Sequence, residues 1–290
     1  MTLNKNITLE THPDVAALIR AALKEDGVGR DATSLSLVAP NAEISAAVLT
    51  RHPCCVAGTL IGKAVMEAVD PSVKVEIIAK DGSDIDTGEN VLRIRGRAVS
   101  ILGAERVALN FMQRMTGIAT ATRAFVDAVE GTKCKILDTR KTVPGFRLLD
   151  KYSVKVGGGT NHRMGLHDMV LIKDNHRKLW RTDDQSRLDL AVNTAREKFP
   201  GLPVEVEVES LEELRSALLS SPEWIMLDNM EPELMREAVN IVAGRCKLEA
   251  SGGIDETTVR VIAETGVDAI SLGCLTHSVK AADLSLEIES

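Results

Sequence analysis

VEVEVES, Val204 to Ser210, alternates an apolar β-branched residue with an acid along its length. Successive side chains of a strand point to opposite faces, so Glu205, Glu207 and Glu209 share one face and Val204, Val206 and Val208 the other. Five further apolar runs lie around it, CKILDTR, MVLIKDN, EWIMLDN, CKLEASGG and DAISLGC, each separated by helical stretches. Such alternation implies a parallel sheet, open or closed. In a barrel the valines face the covering helices and the glutamates the interior, where only those near the mouth stay hydrated or paired. A barrel is therefore favoured, with fewer than eight strands, because only about six or seven candidates are visible.

Each run passes from apolar residues into a polar or glycine-bearing end. This puts Arg140, Lys173, Glu207, Asp228, Ser251 and Gly273 near strand carboxyl ends, where β/α barrels build active sites and open sheets border ligands. The texture differs before Gly117. An amphipathic helix around Val15 to Lys24 is followed by β-like runs such as AAVLTRH and VKVEIIAKDG, with turns at Asp81-Gly82 and Thr87-Gly88. A long helix is expected from about Ala98 to Met115, ending before Thr116-Gly117.

The composition sets limits on function. At 290 residues, with 44% hydrophobic and 27% charged, the chain reads as a globular protein able to bury a substantial core. Its net charge of -7 argues against general nucleic-acid binding, so an anion site must be a local gathering of cations. Five cysteines without a CxxC pair suggest neither a disulfide framework nor a zinc site. A reducing cytoplasm is the expected location, with no membrane span or export signal.

Three constellations carry chemistry. The first is cationic: Arg140, Lys141, His162, Arg163 and Lys173. Arginine matches carboxylate or phosphate as a planar fork and lysine supplies a point charge. Singly each is an ordinary surface charge; their recurrence at strand ends suits a polyanionic substrate. The second is the pair Glu207 and Asp228 on successive strands, hard oxygen donors of the kind Mg²⁺ takes near phosphates, or alternatively partners for a cation such as Lys173. The third is SGGI, Ser251 to Ile254, and the turn at Gly273, where small residues let backbone N-H groups approach phosphate; SGGIDETTVRVIAETG reads as a turn leading into a helix whose dipole adds to this. Cys134, Cys246 and Cys274, and Met112 and Met115, read as packing residues.

In this order, EDGVGRDATS, AERVALN, GIATATR, KILDTRKTVPGFR, KYSVKVGGGTNHRMGL, VLIKDNH, EVEVES, IMLDN, ASGGI and LGCLTHS strongly resemble the quinolinate phosphoribosyltransferases, over about residues 10 to 285. The resemblance implies an N-terminal α/β sandwich, residues 1–117, and an incomplete β/α barrel of about seven strands, residues 118–274, with 275–290 packing back on the first domain. It implies that quinolinate and phosphoribosyl pyrophosphate give nicotinate mononucleotide, pyrophosphate and carbon dioxide with Mg²⁺. Thr139, Arg140, Lys141, His162, Arg163 and Lys173 would contact substrates, with Lys141 and Lys173 as candidate catalytic groups. Glu207 and Asp228 would lie near ribose and metal, and Ser251, Gly252, Gly253 and Gly273 at phosphate. Arg106 would reach the partner subunit's site, making a homodimer the minimum active form. Among the three acids of the opening run, Glu207 is chosen by its spacing to LDN, with Glu205 and Glu209 as fallbacks. RKLWRTDDQSRLDL, after His176, departs from the family pattern and looks longer. A paralogue of the same fold acting on another pyridine or azole acid, or a non-catalytic anion-binding relative, are the alternative readings.

Overall fold

A computed structural model describes residues 8–180, 184 and 186–289. In chain order its elements are α1 (Pro13–Glu25), α2 (Ala32–Leu37), β1 (Glu43–Thr50), β2 (Cys54–Cys55), α3 (Thr59–Val69), β3 (Lys74–Ile77), β4 (Asp84–Ile85), β5 (Asn90–Arg97) and α4 (Ala98–Ala128). Then come β6 (Lys135–Leu137), α5 (Arg147–Val156), β7 (Val170–Ile172), α6 (Asp174–Leu179), α7 (Leu188–Lys198), β8 (Val204–Val208) and α8 (Leu211–Leu218). The chain closes with β9 (Trp224–Asp228), α9 (Pro232–Val242), β10 (Lys247–Ser251), α10 (Val259–Ala263), β11 (Ala269–Ser271), α11 (Cys274–His277) and β12 (Leu284–Ile288). These form two compact units. The first comprises Met1–Arg123, Thr142–Gly158 and Cys274–Ser290, and the second Ala124–Lys141 and Gly159–Gly273.

The first unit holds a four-stranded antiparallel sheet in the order β12-β1-β5-β3. In β5 the alternation of Leu92 and Ile94 with Arg93 and Arg95 places the apolar pair inward and the arginines outward. Leu92 and Ile94 join a buried cluster with Ile61, Val65 and Met66 of α3 and Met112 and Met115 of α4. Each such side chain contributes roughly 1.5–3 kcal/mol when fully buried.

Helix α4 corrects the expectation that it ends before Thr116-Gly117. It runs unbroken to Ala128, because those two residues serve packing. Thr116 Oγ1 accepts from Ala57 N–H at 3.2 Å and donates to Ala57 O at 3.1 Å. A Cβ on Gly117 would lie 2.3 Å from the Lys280 carbonyl oxygen. The boundary drawn at Gly117 thus falls inside a helix, and Thr142–Gly158 groups with the first unit instead of the barrel.

The second unit is a six-stranded parallel sheet in the order β6-β11-β10-β9-β8-β7. Because β11 returns to pair with β6, the sheet curls toward closure. A parallel bridge from Thr160 to Leu137 adds a one-residue seventh position outside β6. Among the described residues no ladder joins Thr160 to β7, so the barrel is incomplete, as expected. Val204, Val206 and Val208 are fully buried, and Glu205 and Glu207 are buried on the opposite face.

The segment after His176 forms α6 and, from Leu188, α7; residues 181–183 and 185 lie outside the described residues. No described helix is long and apolar enough to cross a membrane. All five cysteines are free thiols. Burial pushes Cys55 and Cys246 up to about 11 and Cys134 to about 12, so none of these three is a thiolate near neutrality.

Candidate active site

The residue after β7, Lys173, donates from Nζ to Glu207 Oε2 at 2.6 Å. Two strands on from β7, Asp228 ends β9. Burial, then the negative charge of Glu207, raises the Asp228 carboxyl above its ordinary value, opposed by a hydrogen bond from Asn229 and by the charges of Lys173 and Lys141. Two acids and two lysines therefore share one mouth of the barrel. Of the three glutamates of β8 and its end, only Glu207 belongs to this group. Glu209 lies beyond the strand and is exposed, while Glu205 is wholly buried at a lower level of the interior.

The cationic side comes from the ends of β6 and the Thr160 bridge. Burial, then the charge of Arg140, lowers the Arg163 guanidinium from its ordinary value. Two arginines held in mutual repulsion, partly out of water, make a place where an anion is stabilised. Thr139 Oγ1 accepts from Lys141 N–H at 3.1 Å and shapes the turn that carries Arg140 and Lys141. Arg163 donates from Nη1 to Met169 O at 3.1 Å. Arg147, which has no assigned role from sequence, donates to Thr142 Oγ1 at 3.1 Å within the first unit.

At β10 the chain passes from Ser251 into Gly252 and Gly253, at φ +95° and +63°. A Cβ on Gly252 would sit 2.3 Å from Asn229 Oδ1, so only glycine fits this turn. Ser251 is in register with Asp228, and Asn229 N–H donates to Ser251 O at 2.9 Å, which locks the turn beside the acidic pair. The expected helix directly after the turn is corrected: α10 begins only at Val259 and has one and a half turns. Thr257 and Thr258 fold back on the Asp255 side chain and delay it. Any phosphate contact there rests on the backbone of the glycine turn, with no helix dipole. Gly273 follows β11 and is succeeded by the four-residue α11.

His162 is placed differently from the other candidates. Its backbone N–H donates to Asp138 Oδ1 at 2.8 Å, and Asn161 Nδ2 donates to Asp138 Oδ2 at 2.6 Å. Its ring turns into the barrel, with Nε2 3.1 Å from Glu205 Oε2 and 3.3 Å from Glu249 Oε2. Burial alone would depress this imidazole, but hydrogen bonding to Glu205 and Glu249 outweighs it and pushes the ring up to about 9. Nδ1 lies 2.8 Å from the Arg163 N–H, which donates to it. An imidazolium would carry a proton on Nδ1 as well and could not accept from the Arg163 N–H, so the geometry is that of the neutral ring with its proton on Nε2. His162, Glu205 and Glu249 have the composition and spacing of a metal site, yet a metal would have to displace that proton and would leave Nδ1 accepting from the Arg163 N–H, where ligating histidines normally donate. A cavity of about 390 Å³ is lined by this triad and Arg163 together with residues at strand amino ends, including Lys135, Trp224 and Lys247.

Asp138, Asn161, Asn229 and Glu249 are additions to the residues marked by sequence. Only Glu249 had a local signal: in KLEAS it shares a strand face with Ser251. Arg106 lies on α4 in the first unit, exposed, with Nη2 3.8 Å from Glu105.

The family model described as quinolinate phosphoribosyl transferase, N-terminal domain, matches residues 31–116, and its C-terminal counterpart matches residues 118–287. The chain belongs to the quinolinate phosphoribosyltransferase family. It is 43% identical to the chloroplastic carboxylating nicotinate-nucleotide pyrophosphorylase of Oryza sativa subsp. japonica, covering 96% of this chain and 79% of that protein. It is 42% identical to the Mycobacterium leprae carboxylating nicotinate-nucleotide pyrophosphorylase, covering 93% and 95% of the two chains. Among solved structures, nicotinate-nucleotide pyrophosphorylase from Francisella tularensis matches at TM-score 0.89 and 37% identity, over 98% of this chain and 99% of that one. The Ehrlichia chaffeensis protein of the same name matches at TM-score 0.89 and 38% identity over the whole of both chains. In this quinolinate phosphoribosyltransferase fold the acidic pair, the lysines and the glycine turn all lie at strand carboxyl ends of the barrel.

Proposed function

We propose that the protein is a decarboxylating quinolinate phosphoribosyltransferase, a pentosyltransferase that makes nicotinate mononucleotide for NAD biosynthesis. The observation that carries this reading is an acidic pair at strand carboxyl ends, Glu207 and Asp228, with Lys173 and Lys141 within reach of the acids, together with two arginines, Arg140 and Arg163, close enough to repel one another. Quinolinate is a dianion, and its two carboxylates match the two guanidinium forks. The sugar donor carries its 5′-phosphate to the turn of Ser251, Gly252 and Gly253, with Gly273 beside it, and its ribose to the acids.

The pyridine nitrogen forms a bond to ribose C1 as the bond from C1 to the pyrophosphate oxygen breaks, and pyrophosphate leaves with the electron pair. Positive charge developing at C1 is stabilised by the carboxylates of Glu207 and Asp228. The ring nitrogen, now quaternary, stabilises the carbanion left when the adjacent carboxylate departs as carbon dioxide. A proton then replaces it on the ring carbon, with Lys141 or Lys173 as donor. Glu207 and Asp228 would suit Mg²⁺, since burial and then the charge of Glu207 already raise Asp228 and both acids offer hard oxygens. Held by Glu207 and Asp228, Mg²⁺ would supply charge neutralisation for the leaving pyrophosphate. Arg106 completes the site of a partner subunit in a homodimer or higher even oligomer. Five free thiols fit a reducing compartment such as the cytoplasm.

The test is turnover by purified protein given quinolinate, phosphoribosyl pyrophosphate and Mg²⁺, with nicotinate as the competing acceptor. Nicotinate mononucleotide and carbon dioxide in equal amounts are expected from quinolinate, and a preference for nicotinate would overturn the assignment.

A further inference from the structure

Glu249 lies in the middle of β10 and is 1% exposed. Its Oε2 lies 3.3 Å from His162 Nε2, and Glu205 Oε2, from β8, lies 3.1 Å from the same atom. We propose that Glu249 is a positioning residue for the dicarboxylate acceptor: with Glu205 it clamps the His162 ring and so fixes the chain at Arg163. This rests on the reading above that Arg163 holds an acceptor carboxylate.

The chain from Asn161 to Arg163 is pinned from three strands. Asp138, directly after β6, is fully buried and takes the Asn161 side chain and the His162 N–H. Glu205 and Glu249 receive the ring proton at Nε2, and the other ring nitrogen receives the Arg163 N–H. The imidazole is thus a rigid strut between the barrel interior and the backbone of Arg163. Without Glu249 the ring keeps one anchor and gains freedom to rotate about it. That freedom passes to the Arg163 N–H through Nδ1. A fork that must meet a carboxylate in two parallel hydrogen bonds is sensitive to such motion, whereas the phosphate turn on β10 and the acids on β8 and β9 have their own ladder contacts. Two acids around one imidazole also exceed what charge balance requires, and Glu205 Oε1 and Glu249 Oε1 are buried without a partner among the described residues. Keeping both costs stability, which points to a role beyond it.

The experiment compares Glu249→Leu and Glu249→Gln in the intact enzyme. In Glu249→Leu the KM for quinolinate is expected to rise about tenfold, the size of one lost hydrogen bond to a charged group, while the KM for phosphoribosyl pyrophosphate stays within about twofold. Glu249→Gln, which keeps an acceptor for Nε2–H, should restore most of the loss. In a double-mutant cycle, Glu249→Leu added to His162→Ala should raise the quinolinate KM no further, because Glu249 acts only through the ring. Equal changes in both KM values, or additive effects of the two substitutions, would overturn the proposal. Should the leucine variant not fold, ¹⁵N-histidine spectra of the unaltered protein decide: a protonated His162 Nε2 that changes environment in Glu249→Gln supports the clamp, and an unprotonated Nε2 refutes it. Absence of any turnover with quinolinate in the unaltered enzyme would instead refute the function proposed above, so the two failures are distinguishable.

Discussion

Under the proposed function, Lys173 is a side chain expected to matter little for stability and much for chemistry. Its ammonium is 42% exposed while its partner Glu207 is 9% exposed, so solvent screens the pair heavily. Lys173→Met should therefore shift folding stability by less than about 1 kcal/mol, as read by chemical denaturation. The same substitution leaves Glu207 and Asp228 facing each other without their nearest cation, which mis-sets the acids where C1 becomes positive. A fall in kcat of about 100-fold is expected from steady-state assays, the scale for losing one preorganised charge in an active site. A kcat within threefold of the unaltered enzyme would remove Lys173 from the catalytic set. Along β8 the three acids differ by level: Glu207 meets Lys173, Glu205 meets His162, and Glu209 is past the strand end. The alternation VEVEV makes the shared face legible, but all three glutamates look alike in it. Which one meets a cation depends on side chains from β7 and the Thr160 segment.

At the scale of elements, two glycine-bearing segments were read from sequence with opposite results. Thr116-Gly117 carries the usual marks of a helix end, yet α4 passes through, because the missing Cβ admits the Lys280 carbonyl instead of freeing the backbone. A glycine's reason can lie more than a hundred residues away. Ser251-Gly252-Gly253 is a strand end and turn as expected, but the helix after it is short and late. The turn itself is strictly glycine-dependent at Gly252, where both the positive φ and the nearness of Asn229 exclude a side chain. Gly252→Ala is expected to destabilise the protein by about 1–3 kcal/mol, measured as a shift in denaturant midpoint. It should also raise the KM for phosphoribosyl pyrophosphate more than that for quinolinate, since Asn229 is pushed against Asp228, to which it donates at 3.0 Å. If the quinolinate KM rises more, the phosphate assignment of the turn is wrong.

For the molecule as a whole, a net charge of -7 and two polyanionic substrates are reconciled by local concentration of cations at one barrel mouth. Arg106 lies on the first unit and is exposed. If it serves a partner's site, an Arg106→Ala protein and a Lys141→Ala protein, each inactive, should regain up to about a quarter of full activity when mixed and allowed to exchange subunits, the random-pairing limit for one intact site in half of the dimers. No recovery after proven exchange would mean that each site is built by one chain. The sequence by itself determined the class of the fold and the order of its parts, because a strand's period of two and the alternation of strands with helices are properties of a single stretch of chain. It also marked the strand ends where the charges gather. Only the tertiary structure decided that His162 turns inward to Glu205 and Glu249, that Asp138 anchors the chain before Arg163, and that α4 continues past Gly117. These depend on register and closeness between segments distant in the chain, which no local period encodes.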